Sequence, residues 1–272
     1  MIRRLGRWLG QVALGLVVPA GLVALWWASS EGKGPFTNDR RFVYPALSDV
    51  GEALADNWLF ERVGSDLLPS LGRFGAGYLL AVVAGIGLGT LIGLAPRLRE
   101  ASQPVTEFLR AIPPPLLLPL FIVTMGAGND SKVALIALGA MWPILLNTVD
   151  GVRGVDPETL QMSRSFRLPR HTEITHVVLP AASPKITVGM RTAVSVALIL
   201  MVISEMQASD NGLGYQVRSA QLTQFSALTY AGVVVIGVVG LAVNVAFVRL
   251  ERWVMRWHRG ARGLLDDGRR AI

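Results

Sequence analysis

The sequence predicts an all-α, polytopic membrane protein with six transmembrane helices, and three observations carry that prediction. Charged residues make up only 17% of the chain against 51% hydrophobic, with a mean hydropathy of +0.46. A soluble domain carries about a quarter charged residues, so this chain has too few to wet its surface. The apolar residues fall in blocks, several of them long enough to cross ~30 Å of hydrocarbon. Lysine and arginine are spread unevenly between those blocks, as orientation signals are.

The first block, Gly10–Ser29, is uncharged and follows Arg3, Arg4 and Arg7. Its apolar stretch exceeds a signal peptide's and no small-x-small cleavage site follows Trp26-Trp27, so it reads as a retained first helix within segment 1–29. Further spans are expected at Leu71–Leu94, Ile112–Met125, Val133–Val149, Ile186–Ser204 and Leu228–Val248. The third is short and carries Pro113, Pro114, Pro115 and Pro119. Proline is tolerated in membrane helices where neighbours take up the freed carbonyls.

With the N-terminus inside, the cytoplasmic segments hold three basic residues in 1–9, three in 95–111, five in 150–185 and seven in 249–272, eighteen in all. The outer segments 30–70, 126–132 and 205–227 hold six, and Arg73 and Arg191 lie within spans. This threefold excess predicts both termini in the cytoplasm. It also accounts for the net charge of +7 without nucleic acid, since no soluble basic stretch is interleaved with aromatics. The tail 249–272 is the most basic segment.

Outer loop 30–70 is long enough for a short amphipathic helix. Ser48 is placed to cap it, with Asp49 and Glu52 in the first turn and Leu47, Val50 and Leu54 on one face. In the five-helix core 71–248, Gly77, Ala81, Gly85, Gly89 and Gly93 recur every four residues in the second span. That spacing lines one helix face with small residues and lets another helix approach closely. Cytoplasmic loop 150–185 holds two helix-like stretches, Pro157–Phe166 and Arg170–Val178. Asp156 is a good N-cap before Pro157 at the first helical position. Pro169 disfavours helix at Leu168, so the stretches should meet at an angle and form a helix-turn-helix that could dock a soluble partner.

Chemistry-bearing patterns are few. Gly85-Ile86-Gly87 is no dinucleotide loop, for it follows no strand and lies within a span. The run from Gly126 to Lys132 has Ser131 where a phosphate loop needs glycine. His171 and His176 are five apart rather than four, which does not suit a shared metal, and His258 stands apart. With no cysteine, a disulfide framework or thiolate site is excluded. No Ser, Asp or Glu constellation suggests a hydrolase, and neither catalytic groups, a metal site nor a cofactor is expected. Asn147, Arg191 and Glu205 are polar residues at membrane depth, and are candidates for the translocation pathway. Arg191 could instead snorkel to the cytoplasmic boundary, and Glu205 could simply be solvated at the interface.

The loop from Asp156 to Pro184 resembles the EAA motif of bacterial ABC importer permeases. Gln161-Met162-Ser163 stand at its Glu-Ala-Ala, Arg167 at its glycine, and Val177, Leu179 and Pro180 at its closing apolar-x-Leu-Pro positions. The spans resemble the nitrate/sulfonate/taurine branch: Ser70, Arg73 and the glycine row in the second, Leu109–Pro114, Pro119 and Gly126 around the third, Ser131-Lys132 and Pro143–Thr148 in the fourth, and Gly189-Met190-Arg191, Glu205-Met206 and Gly212–Tyr215 in and after the fifth. The resemblance covers residues 45–257 in order. It implies the type I ABC importer permease fold, pairing with a second permease subunit, two cytoplasmic ATP-binding subunits and an extracytoplasmic substrate-binding protein. It assigns ATPase coupling to Asp156, Pro157, Gln161, Met162, Arg164, Phe166, Arg167, Leu179 and Pro180. ATP hydrolysis would belong to the partner, and the cargo would be a sulfonate, nitrate or small heterocycle. Two departures matter: Gln161 removes an acidic group, and Arg167 replaces the glycine, so that Pro169 is expected to make the break. A stand-alone secondary transporter or channel is the competing reading and a membrane enzyme a third. The EAA-like loop speaks against the former, and the missing catalytic constellation against the latter.

Overall fold

The structure is a computed structural model that describes residues 17–18, 20–30, 45–58 and 62–255. Among these, helix is the only regular secondary structure. The chain divides into two compact units, one of Ser65–Tyr215 with Ile236–Ile272 and a smaller one of Met1–Gly64 with Gln216–Val235.

In the smaller unit, helix α1 (Ala20–Ser30) covers most of the described part of the first expected span, of which residues 10–16 and 19 lie outside the described residues. The Trp26 indole N–H donates to the Pro45 carbonyl at 3.1 Å, and its ring lies 5.1 Å from that of Tyr230. Helix α2 (Leu47–Trp58) lies in segment 30–70. It starts one residue before the expected cap, and the Ser48 hydroxyl bonds the Asp49 carboxylate at 3.2 Å. Ser48 thus sits inside the helix rather than at its cap.

The larger unit is built on α3 (Leu68–Leu94), entered through a π-helical turn Val63–Leu67, which straddles the division. After α3 come α4 (Pro96–Ala111), a 3-10 turn Pro114–Leu117, α5 (Leu118–Met125) and α6 (Asn129–Arg153). Helix α7 (Pro157–Ser165) and the single turn α8 (Arg170–Thr172) follow, then a π-helical stretch Glu173–Val178 that runs into α9 (Leu179–Ala208). Helices α10 (Leu213–Leu222) and α11 (Ser226–Val254) cross between the units.

Helices α3, α6, α9 and α11 are long and apolar enough to cross a membrane. The third expected span, Ile112–Met125, is not a single straight helix, and its apolar stretch is the second half of the bent pair Pro96–Ala111 and Pro114–Met125. Its 3-10 turn and α5 together are too short for ~30 Å of hydrocarbon, and they meet α4 at an 85° bend. The cause is local. Pro113, Pro114 and Pro115 supply no N–H, and the chain leaves α4 extended at Ile112 (ψ 119°) and Pro113 (ψ 121°) before it can turn again.

The core sits where α6 is pressed between α3 and α9. Leu135, Ile136, Ala140 and Ile144 of α6 are fully buried, as are Ala81 of α3 and Ala193 and Ala197 of α9. The row of small residues on α3 meets α6 directly. A Cβ on Gly77 would lie 2.6 Å from Ile136 Cγ2, on Gly85 2.8 Å from Ile144 Cβ, on Gly89 2.6 Å from Thr148 Cβ and on Gly93 2.8 Å from Val152 Cβ. Residue numbers rise together on both helices, so α3 and α6 run parallel, which the bent α4–α5 element between them makes possible. At the end of α6 a smaller apolar cluster of Val152, Val155, Val178, Ala182 and Ile186 fastens the following loop to the core.

Candidate functional site

The loop after α6 is shaped by three backbone devices. At its start the Asp156 carboxylate accepts from the Glu158 N–H at 3.0 Å, capping α7 ahead of Pro157. At its end the Arg167 N–H donates to the Arg164 carbonyl at 2.9 Å and the Leu168 N–H to the Ser163 carbonyl at 3.2 Å. Those two bonds are the Schellman arrangement, which needs a left-handed residue where Arg167 stands, and Arg167 has φ +51°. The helix therefore stops at Arg167 itself, in the backbone conformation that glycine would take, and Pro169 opens the next turn (ψ 146°) instead of making the break. Third, the Ser163 hydroxyl donates to Glu173 at 3.0 Å and ties α7 to the π-helical stretch. Leu160 and Leu179 pack on the apolar cluster beneath, and Leu179 and Pro180 open α9.

With its ends satisfied internally, α7 turns one face outward. Phe166 is 73% exposed and Met162 58%, one helical turn apart. Gln161 and Arg167 are exposed beside them, and Arg164 is exposed on the other side of the helix. Two bare large apolar side chains on a polar loop form an anchor pair of the kind that enters a partner's groove.

A second polar site lies at the far end of α3, and its assembly was not read from the sequence. Glu205, expected on the pathway, is fully enclosed. Its carboxylate accepts from Arg73 at 2.7 Å, from the Ser70 hydroxyl at 2.7 and 2.9 Å and from the Gly214 N–H at 3.0 Å. Arg73 also donates to Asn129 at 2.7 Å and to the Asn211 carbonyl at 3.0 Å and side chain. The Gly212 N–H donates to Asp66 at 2.8 Å and the Leu213 N–H to Ser70 at 3.0 Å. The approach needs two glycines. Gly212 has φ +115°, and a Cβ there would lie 2.5 Å from the Glu205 carboxylate, while one on Gly214 would lie 2.9 Å from Glu205 Cβ. The whole strap 211–214 is thereby pinned to α3. A lone arginine within a span demands a counter-charge, and Arg73 stands one turn before the glycine row. That was the available signal.

Asn147 is half-buried on α6 and donates to the Pro143 carbonyl at 2.8 Å, with Gly189 of α9 packed against it. Arg191 is half-exposed and ion-paired with Glu251 of α11. The structure thus keeps Asn147, Arg191 and Glu205 in three separate settings.

An α-helical core with a capped, exposed helix between two spans is the architecture of an importer permease. The family model described as "Binding-protein-dependent transport system inner membrane component" matches residues 81–259. The chain belongs to this family and is the membrane-spanning permease subunit of an ABC importer. Permeases of the family work with ATP-binding and substrate-binding proteins.

The chain is 32% identical over 250 residues to the Bacillus subtilis (strain 168) permease protein named SsuC for aliphatic sulfonates transport, covering 92% of this chain and 89% of that one. To the taurine transport system permease protein TauC of Escherichia coli (strain K12) it is 29% identical, covering 91% and 90%. To the nitrate import permease protein NrtB of Synechococcus elongatus it is 31% identical, covering 71% and 69%. Among solved structures, the MetNI methionine ABC transporter in inward-facing form shares the fold, with a TM-score of 0.60 at 17% identity over 70% of this chain and 94% of that one.

Proposed function

We propose that two copies of this chain form the translocation pathway and that each docks an ATP-binding subunit through α7. The observation that carries this reading is the exposed pair Met162 and Phe166 on a helix whose own ends are already satisfied. In this account ATP-driven closure of the two ATP-binding subunits pulls on α7. Because α7 is fixed to α6 and α9 through the Val152–Val178 cluster, the pull reaches the spans and rocks the two permeases between outward- and inward-open states. Asn147 and Arg191 are the proposed pathway residues.

The cargo in this reading is a small oxyanion-bearing solute, delivered by an extracytoplasmic binding protein. The names of the relatives, for sulfonates, taurine, bicarbonate and nitrate, support that class. Six spans and both termini in the cytoplasm complete the proposal, supported by the eighteen-to-six distribution of basic residues.

Truncating an apolar anchor in an interface pocket costs ~2 kcal/mol or more, whereas Arg164 lies on the other side of α7 from the anchor pair. Phe166→Ala should therefore strip the ATP-binding subunit from the purified complex and abolish substrate-stimulated ATP hydrolysis, and Arg164→Ala should weaken both less. Wild-type co-purification by Phe166→Ala and by a deletion of Pro157–Arg167 would refute the docking role.

A further inference from the structure

Behind α7 lies a cavity of about 590 Å³ that the docking role leaves unused. Four arginines from four different helices line it: Arg99 of α4, Arg153 of α6, Arg164 of α7 and Arg170 of α8. Among the described residues, none of their guanidinium groups makes an ion pair or hydrogen bond with a protein group. Glu173 is the cavity's lone carboxylate, and it already accepts a bond from Ser163. Positive-inside arginines ordinarily fan out into water. Here four line one cavity with a single acid in its wall; Arg99 and Arg153 also border the neighbouring groove of Glu100, Glu107 and Asp150 without pairing to them, and like charges held together favour an anion between them. The guanidinium fork matches phosphate oxygens two at a time, which makes arginine the natural group for that ligand.

The remaining wall decides the source of the phosphate. Leu91 and Leu94 at the end of α3 line the same cavity while 59% and 42% exposed, so it opens along the flank of a membrane-spanning helix. An arginine-lined pocket beside an apolar helix flank at a cytoplasmic boundary suits a lipid headgroup with its acyl chains alongside. We propose that this cavity binds the phosphate of an anionic phospholipid. Leu160 and Arg164 face it from one side of α7, while Met162 and Phe166 stand about 200° around the helix at ~100° per residue. The bound headgroup therefore steadies the docking helix from behind and leaves its outer face free.

The inference rests on the cytoplasmic placement of loop 150–185, but its test needs no ATP-binding subunit, so failed docking would leave it unmoved. The full chain, purified in neutral detergent, is titrated with phosphatidylglycerol, phosphatidylcholine or inorganic phosphate while its unfolding temperature is followed. Phosphatidylglycerol should give a saturable rise and phosphatidylcholine none. Arg153→Gln with Arg170→Gln should weaken the apparent affinity by about tenfold per arginine, as loss of charge-assisted hydrogen bonds does. Arg249→Gln with Arg252→Gln, on the exposed end of α11, removes the same charge and should leave the affinity nearly unchanged. If the double glutamine variant does not fold, Arg153→Lys with Arg170→Lys keeps the charge, loses the fork and should bind with intermediate affinity. Saturation by inorganic phosphate alone would keep the phosphate site and move its source from lipid to solution. Equal losses in the two glutamine pairs, or no saturation by either phosphate source, would overturn the proposal.

Discussion

Arg167 shows how a residue can hold a conformation written for another. The Schellman bonds fix the backbone at φ +51°, where a Cβ costs about 1 kcal/mol or somewhat more. Arg167→Gly should therefore raise stability by about 1 kcal/mol, read as a higher unfolding temperature in detergent, and a lower one would mean that the guanidinium contributes more than the strain. Glu205 makes the opposite case. It is the fully buried acceptor for Arg73, Ser70 and Gly214, and breaking such a pair from one side costs ~3–5 kcal/mol. Glu205→Gln should lower stability on that scale, whereas Arg73→Met with Glu205→Met should lose less than the two single changes together. The sequence displayed both charges but not their meeting, because they are 132 positions apart and joined through a glycine-dependent strap.

At the scale of elements, periodicity was most legible where packing follows it. The small residues spaced by four on α3 face Ile136, Ile144, Thr148 and Val152 on α6. Gly89→Leu would drive its side chain into Thr148 and the Leu145 carbonyl. We expect a loss of ~1–3 kcal/mol, the usual range for overpacking, measurable by thermal unfolding, and unchanged stability would refute close α3–α6 contact. Helix α7 was legible too, since Asp156-Pro157 is a local start signal and the cap is present. Its stop was expected at Phe166, one residue past Ser165, but the break was assigned to Pro169 and not to Arg167, because a left-handed arginine carries none of glycine's compositional signal. The third span was drawn as one helix starting at Ile112, whereas it includes α4 and a bend, for a related reason. Hydropathy counts Ile112–Met125 as apolar but is blind to three successive prolines that break the α4–α5 path.

For the whole molecule, composition and charge distribution sufficed for an all-α membrane protein, and the EAA-like loop for its family. What they could not supply was which faces close on each other and which stay open. That is decided by long-range packing, such as the cavity behind α7 and the two bare side chains on its front. The central claim is that this front is the contact through which ATP-binding subunits act on the spans. Because the chain has no cysteine, a single cysteine can report the contact directly. Cysteine placed at Met162 should cross-link to the co-expressed ATP-binding subunit in membranes, more strongly when nucleotide is bound, while cysteine at Ser209 should not cross-link and should label from outside intact cells. Cross-linking from Ser209 but not from Met162 would contradict both the docking surface and the orientation built on it.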